Sequence, residues 1–231
     1  MTARAIVALD VPNRTAALAL VDQLAPECNF YKVGSELFTS AGPGLVETLV
    51  RRGCAVFLDL KFHDIPNTVR RATRQAAALG ASLVTVHAVG GPSMLAAAVE
   101  GAREEGEQCG VLGVTVLTSL DAGSLAAGWG RDSVDVEQEV MRLAGDCRDA
   151  GAHGVVCSGH EARALRSQIG PSLRLLVPGI RLAGGAVGDQ ARVVTPADAV
   201  AAGADYLVLG RAVTGATEPL RAYQEAVRVL G

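Results

Sequence analysis

The feature that most constrains this chain is an alternation repeated eight times. A short, almost continuously apolar run is followed each time by a longer stretch with helical periodicity. The apolar runs are AIVAL, FYKVG, CAVFLDL, LVTVHA, VLGVTVL, GVVC, LRLLVPG and YLVLG. The helical patterns lie at 14–25, 44–52, 66–79, 93–105, 134–150, 161–169, 196–202 and 218–229. Strands that are apolar on both faces belong to a parallel sheet covered by helices, since each parallel crossover lays a helix on the sheet. Eight such units within 231 residues predict a closed (β/α)8 barrel, an α/β fold, rather than an open doubly wound sheet. No linker or low-complexity tract interrupts the pattern, so one domain over 1–231 is expected.

Composition narrows the partners. Hydrophobic residues make up 49% of the chain and supply a large core, while aromatics, at 3%, offer little for base stacking. A net charge of −3 with no long basic run disfavours nucleic acid and anionic membrane surfaces. An anionic ligand must then be met by a local cluster of cations. The five cysteines are scattered without a CxxC pair and read as reduced, mostly buried thiols of a cytoplasmic protein. The opening MTARAIVALD lacks the apolar core of a signal peptide, and no run approaches the length of a membrane span.

The third apolar run leads into DLKFHDIPNTV, which sets two aspartates, a lysine and a histidine within six residues, 59–64. Charges at the end of a buried strand are costly unless they are paired or functional. Strand alternation turns Cys54, Val56, Leu58, Leu60 and Phe62 toward the helices, and Ala55, Phe57, Asp59 and Lys61 toward the barrel axis. The same period places Asp10 with Ala8 and Ile6 on the first strand, and Lys32 with Phe30 and Gly34 on the second. Asp10, Lys32, Asp59 and Lys61 therefore converge on the C-terminal mouth, where the active sites of such barrels lie. Asp64 follows in the turn, and Pro66 opens the next helix. A purely structural ion-pair layer is the competing explanation, but apolar filling would usually be at least as stable.

His63 and His87 invite a metal site completed by Asp59 and Asp64. The intervening Lys61 argues against it, because an ammonium repels a cation and cannot ligate. Both histidines are expected to be structural or hydrogen-bonding groups, and His153 and His160, near turns, to lie at the surface.

The last two units end in VPGIRLAGGAVGDQ and LVLGRAVTGA. Loops after strands seven and eight commonly form a phosphate site in this fold. Gly179, Gly184, Gly185, Gly188 and Gly210 permit close backbone approach, Arg181 and Arg211 supply charged forks, and Gln190 supplies a neutral donor. A phosphorylated ligand follows. The connections 118–133 and 179–195 exceed the usual loop length and are expected to serve as lids.

These segments resemble the orotidine 5′-monophosphate decarboxylase family over the whole chain. The similarity runs through ALD at 8–10, YKVGSELF at 31–38, DLKFHDIPNTV, VTVHAVGG at 84–91, GVTVLTS at 113–119, VPGIR at 177–181 and VLGRAVT at 208–214. The third-strand motif is highly specific, and SLDAGSLAAGWGRDS is less diagnostic. The resemblance implies loss of carbon dioxide from orotidine 5′-monophosphate to give uridine 5′-monophosphate, the last step of de novo pyrimidine synthesis, without cofactor or metal. It implies Lys61 as proton donor to C6 of the pyrimidine, within a charged network of Lys32, Asp59, Lys61 and Asp64. It further implies a homodimer in which Asp64 and Thr68 reach the partner's site, Asp10 and Lys32 hold the ribose, and Thr118 lies at the pyrimidine. Arg181, Gln190, Gly210 and Arg211 would surround the phosphate.

The chemistry suits that assignment. Direct decarboxylation leaves electron density on a ring carbon with no conjugated sink, and a fixed ammonium beside it stabilises the charge and then protonates it. Asp59 either opposes the departing carboxylate by like charge or holds Lys61 oriented. The rivals are a metal-using sugar-phosphate decarboxylase or aldolase with a similar Asp-x-Lys-x-x-Asp motif, and a non-catalytic nucleotide-binding barrel. The acidic ligands of the first are not found, and the intact Lys61 argues against the second.

Overall fold

The computed structural model describes residues 3–181 and 194–230. Its strands are β1 (Arg4–Ala8), β2 (Phe30–Gly34), β3 (Ala55–Phe62), β4 (Leu83–His87), β5 (Gly110–Val114), β6 (Gly154–Val156), β7 (Arg174–Val177) and β8 (Tyr206–Leu209). They pair in parallel in sequence order, and β8 returns to β1 through Arg4 opposite Tyr206 and Val7 opposite Leu209, so the barrel closes. The described helices are α1 (Arg14–Leu24), α2 (Ser35–Ala41), α3 (Pro43–Arg51), α4 (Pro66–Ala78), α5 (Pro92–Arg103), α6 (Ala122–Trp129), α7 (Val136–Asp149), α8 (Gly159–Ile169), α9 (Pro196–Ala201), α10 (Arg211–Thr214) and α11 (Pro219–Val227). The expected (β/α)8 barrel is therefore present. Among the described residues no helix is long and apolar enough to cross a membrane.

Three helices were not expected. Of these, α6 occupies the middle of the 118–133 connection, which the sequence presents as a long, Gly-rich lid with no helix placed in it. Asp121 caps it by accepting the Ser124 N–H at 2.7 Å, and Gly130 stops it in the left-handed region at φ 63°. Its two internal glycines, Gly123 and Gly128, depress helix propensity and hide the pattern. Most of the 179–195 connection, including Gln190 and the glycines at 184, 185 and 188, lies outside the described residues.

Strand alternation divides two cores as expected. Ile6, Ala8, Phe30, Phe57, Leu83, Leu112, Leu176 and Val208 fill the barrel, with Ala55 against them. Val56 and Leu58 join the layer between sheet and helices, with Leu60, Phe62 and Cys54 packed against it. In that layer α4 and α5 approach closely enough that a Cβ on Gly101 would stand 2.1 Å from the Arg70 carbonyl oxygen. The Thr73 hydroxyl donates across the same contact to Ala98 O at 3.0 Å. This seam braces β3 against β4, the two strands beneath the densest charge. Cys28, Cys109, Cys147 and Cys157 are buried, and burial pushes the Cys109 and Cys147 thiols up to about 12, which makes them inert.

The opposite end of the barrel is sealed by polar groups. His153, expected at the surface, is half-buried there, with Nε2 3.0 Å from the Tyr206 hydroxyl. A turn lies beside it in sequence, but the start of β6 carries the ring inward over the barrel floor. Nearby, Asp205 accepts from Arg166 Nη2 at 2.5 Å, Arg174 Nη1 at 2.7 Å and the Leu175 N–H at 2.8 Å. Burial alone would raise the Asp205 carboxyl, but the Leu175 N–H and the two guanidinium groups outweigh it and hold the pKa below the usual carboxylate value. Asp205→Asn removes charge from a carboxylate only 16% exposed and leaves two arginines short of a partner. We expect it to cost about 3 kcal/mol of folding free energy in urea denaturation at neutral pH. A loss below about 1 kcal/mol would show the clamp to be dispensable.

Candidate active site

The mouth of the barrel is built by register. Lys32 on β2 pairs with Ala8 on one side and Phe57 on the other, an apolar level where an ammonium has no partner. Its side chain climbs to the next level, where Gly34 faces Asp59. There Lys32 Nζ meets Asp10 Oδ1 at 2.8 Å and lies 3.7 Å from Asp59 Oδ2. A Cβ on Gly34 would stand 3.1 Å from that ammonium, so the glycine keeps the space it occupies.

Asp59 is the centre of the group. Its Oδ1 accepts from Lys61 Nζ at 2.8 Å and from the Thr85 hydroxyl at 2.9 Å, while Oδ2 faces Lys32. Asp59 and Lys32 side chains are each 12% exposed, whereas Lys61 is 37% exposed and reaches into the opening. Lys61 also carries the positive φ of 51°, and the β3–β4 register shifts between Leu58 and Phe62. An L-residue held in the left-handed region costs roughly 1–2 kcal/mol, and such strain tends to be kept at functional positions. Simple alternation foresees the side of the strand on which Lys61 lies, but not this bulge.

One cavity of about 440 Å³ is lined by Asp10, Lys32, Asp59, Lys61, Thr118, Arg181, Gly210 and Arg211. Its floor is apolar and includes Ala8, Phe57 and Val208. The four charges lie on or just after β1, β2 and β3, and the arginines follow β7 and β8, with β8 paired to β1. Gly179, in the left-handed region at φ 74°, turns the chain out of β7 toward Arg181, and Gly210 caps α10, where Arg211 begins. The arrangement can hold an anion at the arginine end of a ligand and place an ammonium against its other end.

Asp64 and Thr68 do not line this cavity. Both are exposed, and Asp64 Oδ1 accepts the Ile65 N–H at 2.6 Å. Beside them Ile65 is 66% exposed, a large apolar side chain turned to the outside. Gln190 lies outside the described residues. The sequence assigns Gly34 an inward face but no role, and Thr85 neither, because their signals are weak: a glycine at a strand end and a threonine inside an apolar run.

A closed parallel barrel with paired carboxylates and ammonium groups at its C-terminal mouth, and arginines after its last two strands, defines a (β/α)8-barrel enzyme acting on an anionic small molecule. Residues 3–226 match the family described as orotidine 5′-phosphate decarboxylase / HUMPS. The chain belongs to that family. It is 53% identical over 227 residues to the orotidine 5′-phosphate decarboxylase of Alkalilimnicola ehrlichii, covering 98% of this chain and 96% of that protein. The Pseudomonas putida protein of the same name is 52% identical, covering 96% of this chain and 94% of the relative. Among solved structures, orotidine 5′-phosphate decarboxylase from Lactobacillus acidophilus superposes with a TM-score of 0.89 at 34% identity, each chain covered in full. An uncharacterized conserved protein from Geobacillus kaustophilus superposes with a TM-score of 0.85 at 37% identity, over 99% of this chain and all of that one.

His87 gives the fold's stability a pH dependence. Its ring lies 5.6 Å from that of His63 at the ends of β3 and β4. Burial, then His63, then the Lys61 ammonium lower its pKa below the ordinary 6.5, against an opposing pull from Asp59. His153 at the other end is lowered too, chiefly by burial and then by Arg174. Below about pH 6.5 the unfolded chain takes up protons that the folded chain refuses, so stability falls as the solution is acidified. Melting temperature should therefore drop between about pH 7.5 and about pH 5.5, and His87→Gln should drop less than the wild type. An equal drop in both would remove His87 from that balance.

Proposed function

We propose that this chain decarboxylates orotidine 5′-monophosphate to uridine 5′-monophosphate and carbon dioxide in pyrimidine biosynthesis, with Lys61 protonating C6 inside an Asp/Lys charge network and no cofactor. The observation that carries the reading is the Lys61 ammonium, held 2.8 Å from Asp59 in a cavity that Arg181 and Arg211 also line. That layout fits a ligand with a phosphate at one end and a reacting ring carbon at the other. The bond between C6 and the carboxylate carbon breaks, and its electron pair stays on C6 as carbon dioxide leaves. Lys61 Nζ then gives its proton to C6 and regains one from water. Asp59 orients the donor, and a charge fixed in advance needs no reorganisation when the carbanion forms.

Within this reading Asp10 and Lys32 hold the ribose hydroxyls, and Thr118 contacts the pyrimidine. Arg181, Gln190, Gly210 and Arg211 bind the phosphate. Asp64 and Thr68 serve the site of a partner subunit, so the enzyme works as a homodimer in the cytoplasm, its single catalytic domain spanning 1–231. The support for sharing is that Asp64 and Thr68 are exposed, stand off their own cavity and adjoin the outward-facing Ile65. Phosphate binding is remote from C6, yet its energy can still be used in the transition state at C6.

A single experiment addresses both chemistry and sharing. Lys61→Ala and Asp64→Ala should each fold and bind nucleotide but be almost inactive, read from the change in ultraviolet absorbance when orotidine 5′-monophosphate is added. Mixed in equal amounts with subunit exchange demonstrated, they should regain roughly one quarter of wild-type sites, since each two-fold heterodimer holds one intact site. Turnover by Lys61→Ala alone would dismiss Lys61 as the proton donor. Failure of the mixture to recover would place Asp64 in its own chain's site or outside catalysis.

A further inference from the structure

The described residue most tightly tied to the proposed proton donor, and given no role above, is Thr85. On β4 the alternation turns Leu83 into the barrel interior and Val84 and Val86 into the outer layer, so Thr85 faces inward as well. It is completely buried. Its hydroxyl accepts the backbone N–H of Lys61 at 2.9 Å and donates to Asp59 Oδ1 at 2.9 Å. Lys61 Nζ donates to that same oxygen at 2.8 Å. The backbone and the side-chain tip of Lys61 are thereby tied to one carboxylate oxygen, and Thr85 closes the ring.

The location of this ring matters more than its number of hydrogen bonds. Lys61 is the described non-glycine residue at positive φ, and it sits where the β3–β4 register is broken. At such a bulge the regular ladder between strands is interrupted. The Thr85 hydroxyl takes up the Lys61 N–H at that break, and the direction in which the lysine side chain leaves the backbone depends on it. The same hydroxyl spends its one hydrogen on Asp59, so it also selects which carboxylate oxygen faces Lys61 and which faces Lys32. A valine would fill the volume equally well but could do neither.

We infer that Thr85 is a positioning residue for the reaction, holding Lys61 in its left-handed conformation and Asp59 in the rotamer that aims the ammonium. The inference rests on the reading of Lys61 as proton donor. It does not make Thr85 a catalytic residue, because Thr85 is not among the residues that line the cavity, and its hydroxyl is bonded to Asp59 and the Lys61 N–H.

The test compares Thr85→Val, Thr85→Ala and Thr85→Ser with wild type and with Lys61→Ala, measuring kcat and KM separately on orotidine 5′-monophosphate. Misaiming a proton donor acts on the chemical step, so Thr85→Val should lower kcat by about tenfold or more while KM changes less than about threefold. Thr85→Ser, which keeps the hydroxyl, should stay within about threefold of wild type in both constants. If the valine variant does not fold, alanine against serine gives the same contrast, since both lack the methyl group and only serine has the hydroxyl. A near-wild-type kcat for Thr85→Val, or equal damage in the serine and alanine variants, would overturn the inference and leave Thr85 as core filling. Lys61→Ala separates the two levels. Activity in that variant would bring down the proton-donor reading itself, whereas an inactive Lys61→Ala beside an unimpaired Thr85→Val would bring down the Thr85 inference alone.

Discussion

The Asp59 carboxylate is the interaction on which the rest of the site depends. One of its oxygens receives Lys61 and Thr85, and the other faces Lys32, which in turn reaches Asp10. Three neighbouring strands and the one after them are thus joined through a single side chain that is 12% exposed. Remove the carboxylate, and two ammonium groups are left facing each other at the end of an apolar barrel. An uncompensated charge in such a position is far more costly than the intact pair is stabilising. The network is poor value as a source of stability and good value as a way to fix charge before a substrate arrives.

The barrel makes that fixation possible by dividing its interior. Apolar side chains such as Ile6, Phe57 and Leu112 fill the middle and keep water from reaching the charges from below. The Asp205 clamp and the His153–Tyr206 contact seal the opposite end. The close α4–α5 seam holds β3 and β4 in a fixed relation, so Asp59 and Thr85 keep their 2.9 Å contact. Stability is therefore concentrated at the floor and in the outer layer, while strain, in the form of the Lys61 backbone, is carried at the mouth.

Much of this was legible in the sequence because it follows from two periods. Alternation along strands predicts that Asp10, Lys32, Asp59 and Lys61 share one mouth, and the eightfold repeat predicts which end of the barrel that is. What escaped has no periodic signature. The bulge at Lys61 is a property of the β3–β4 register, which no single strand encodes. Thr85 looks like one more β-branched residue in an apolar run, and only its three-dimensional neighbours reveal the hydroxyl's use. Gly34 matters for the space it leaves to a side chain two residues earlier. His153 was misplaced because its partner, Tyr206, lies 53 residues away in the chain. The exposed Asp64 and Thr68 owe their proposed roles to resemblance, since neither is among the described residues that line the cavity.

The central claim is that the charges are arranged before the substrate binds. A pair of crystal structures, one of the free enzyme and one with uridine 5′-monophosphate in the cavity, tests it most directly. The account predicts that the Lys61–Asp59 contact near 2.8 Å and the left-handed φ of Lys61 are the same in both, with Lys61 Nζ against C6 of the bound ring. A free enzyme in which Lys61 has left Asp59, or a complex in which C6 lies away from Lys61, would contradict it.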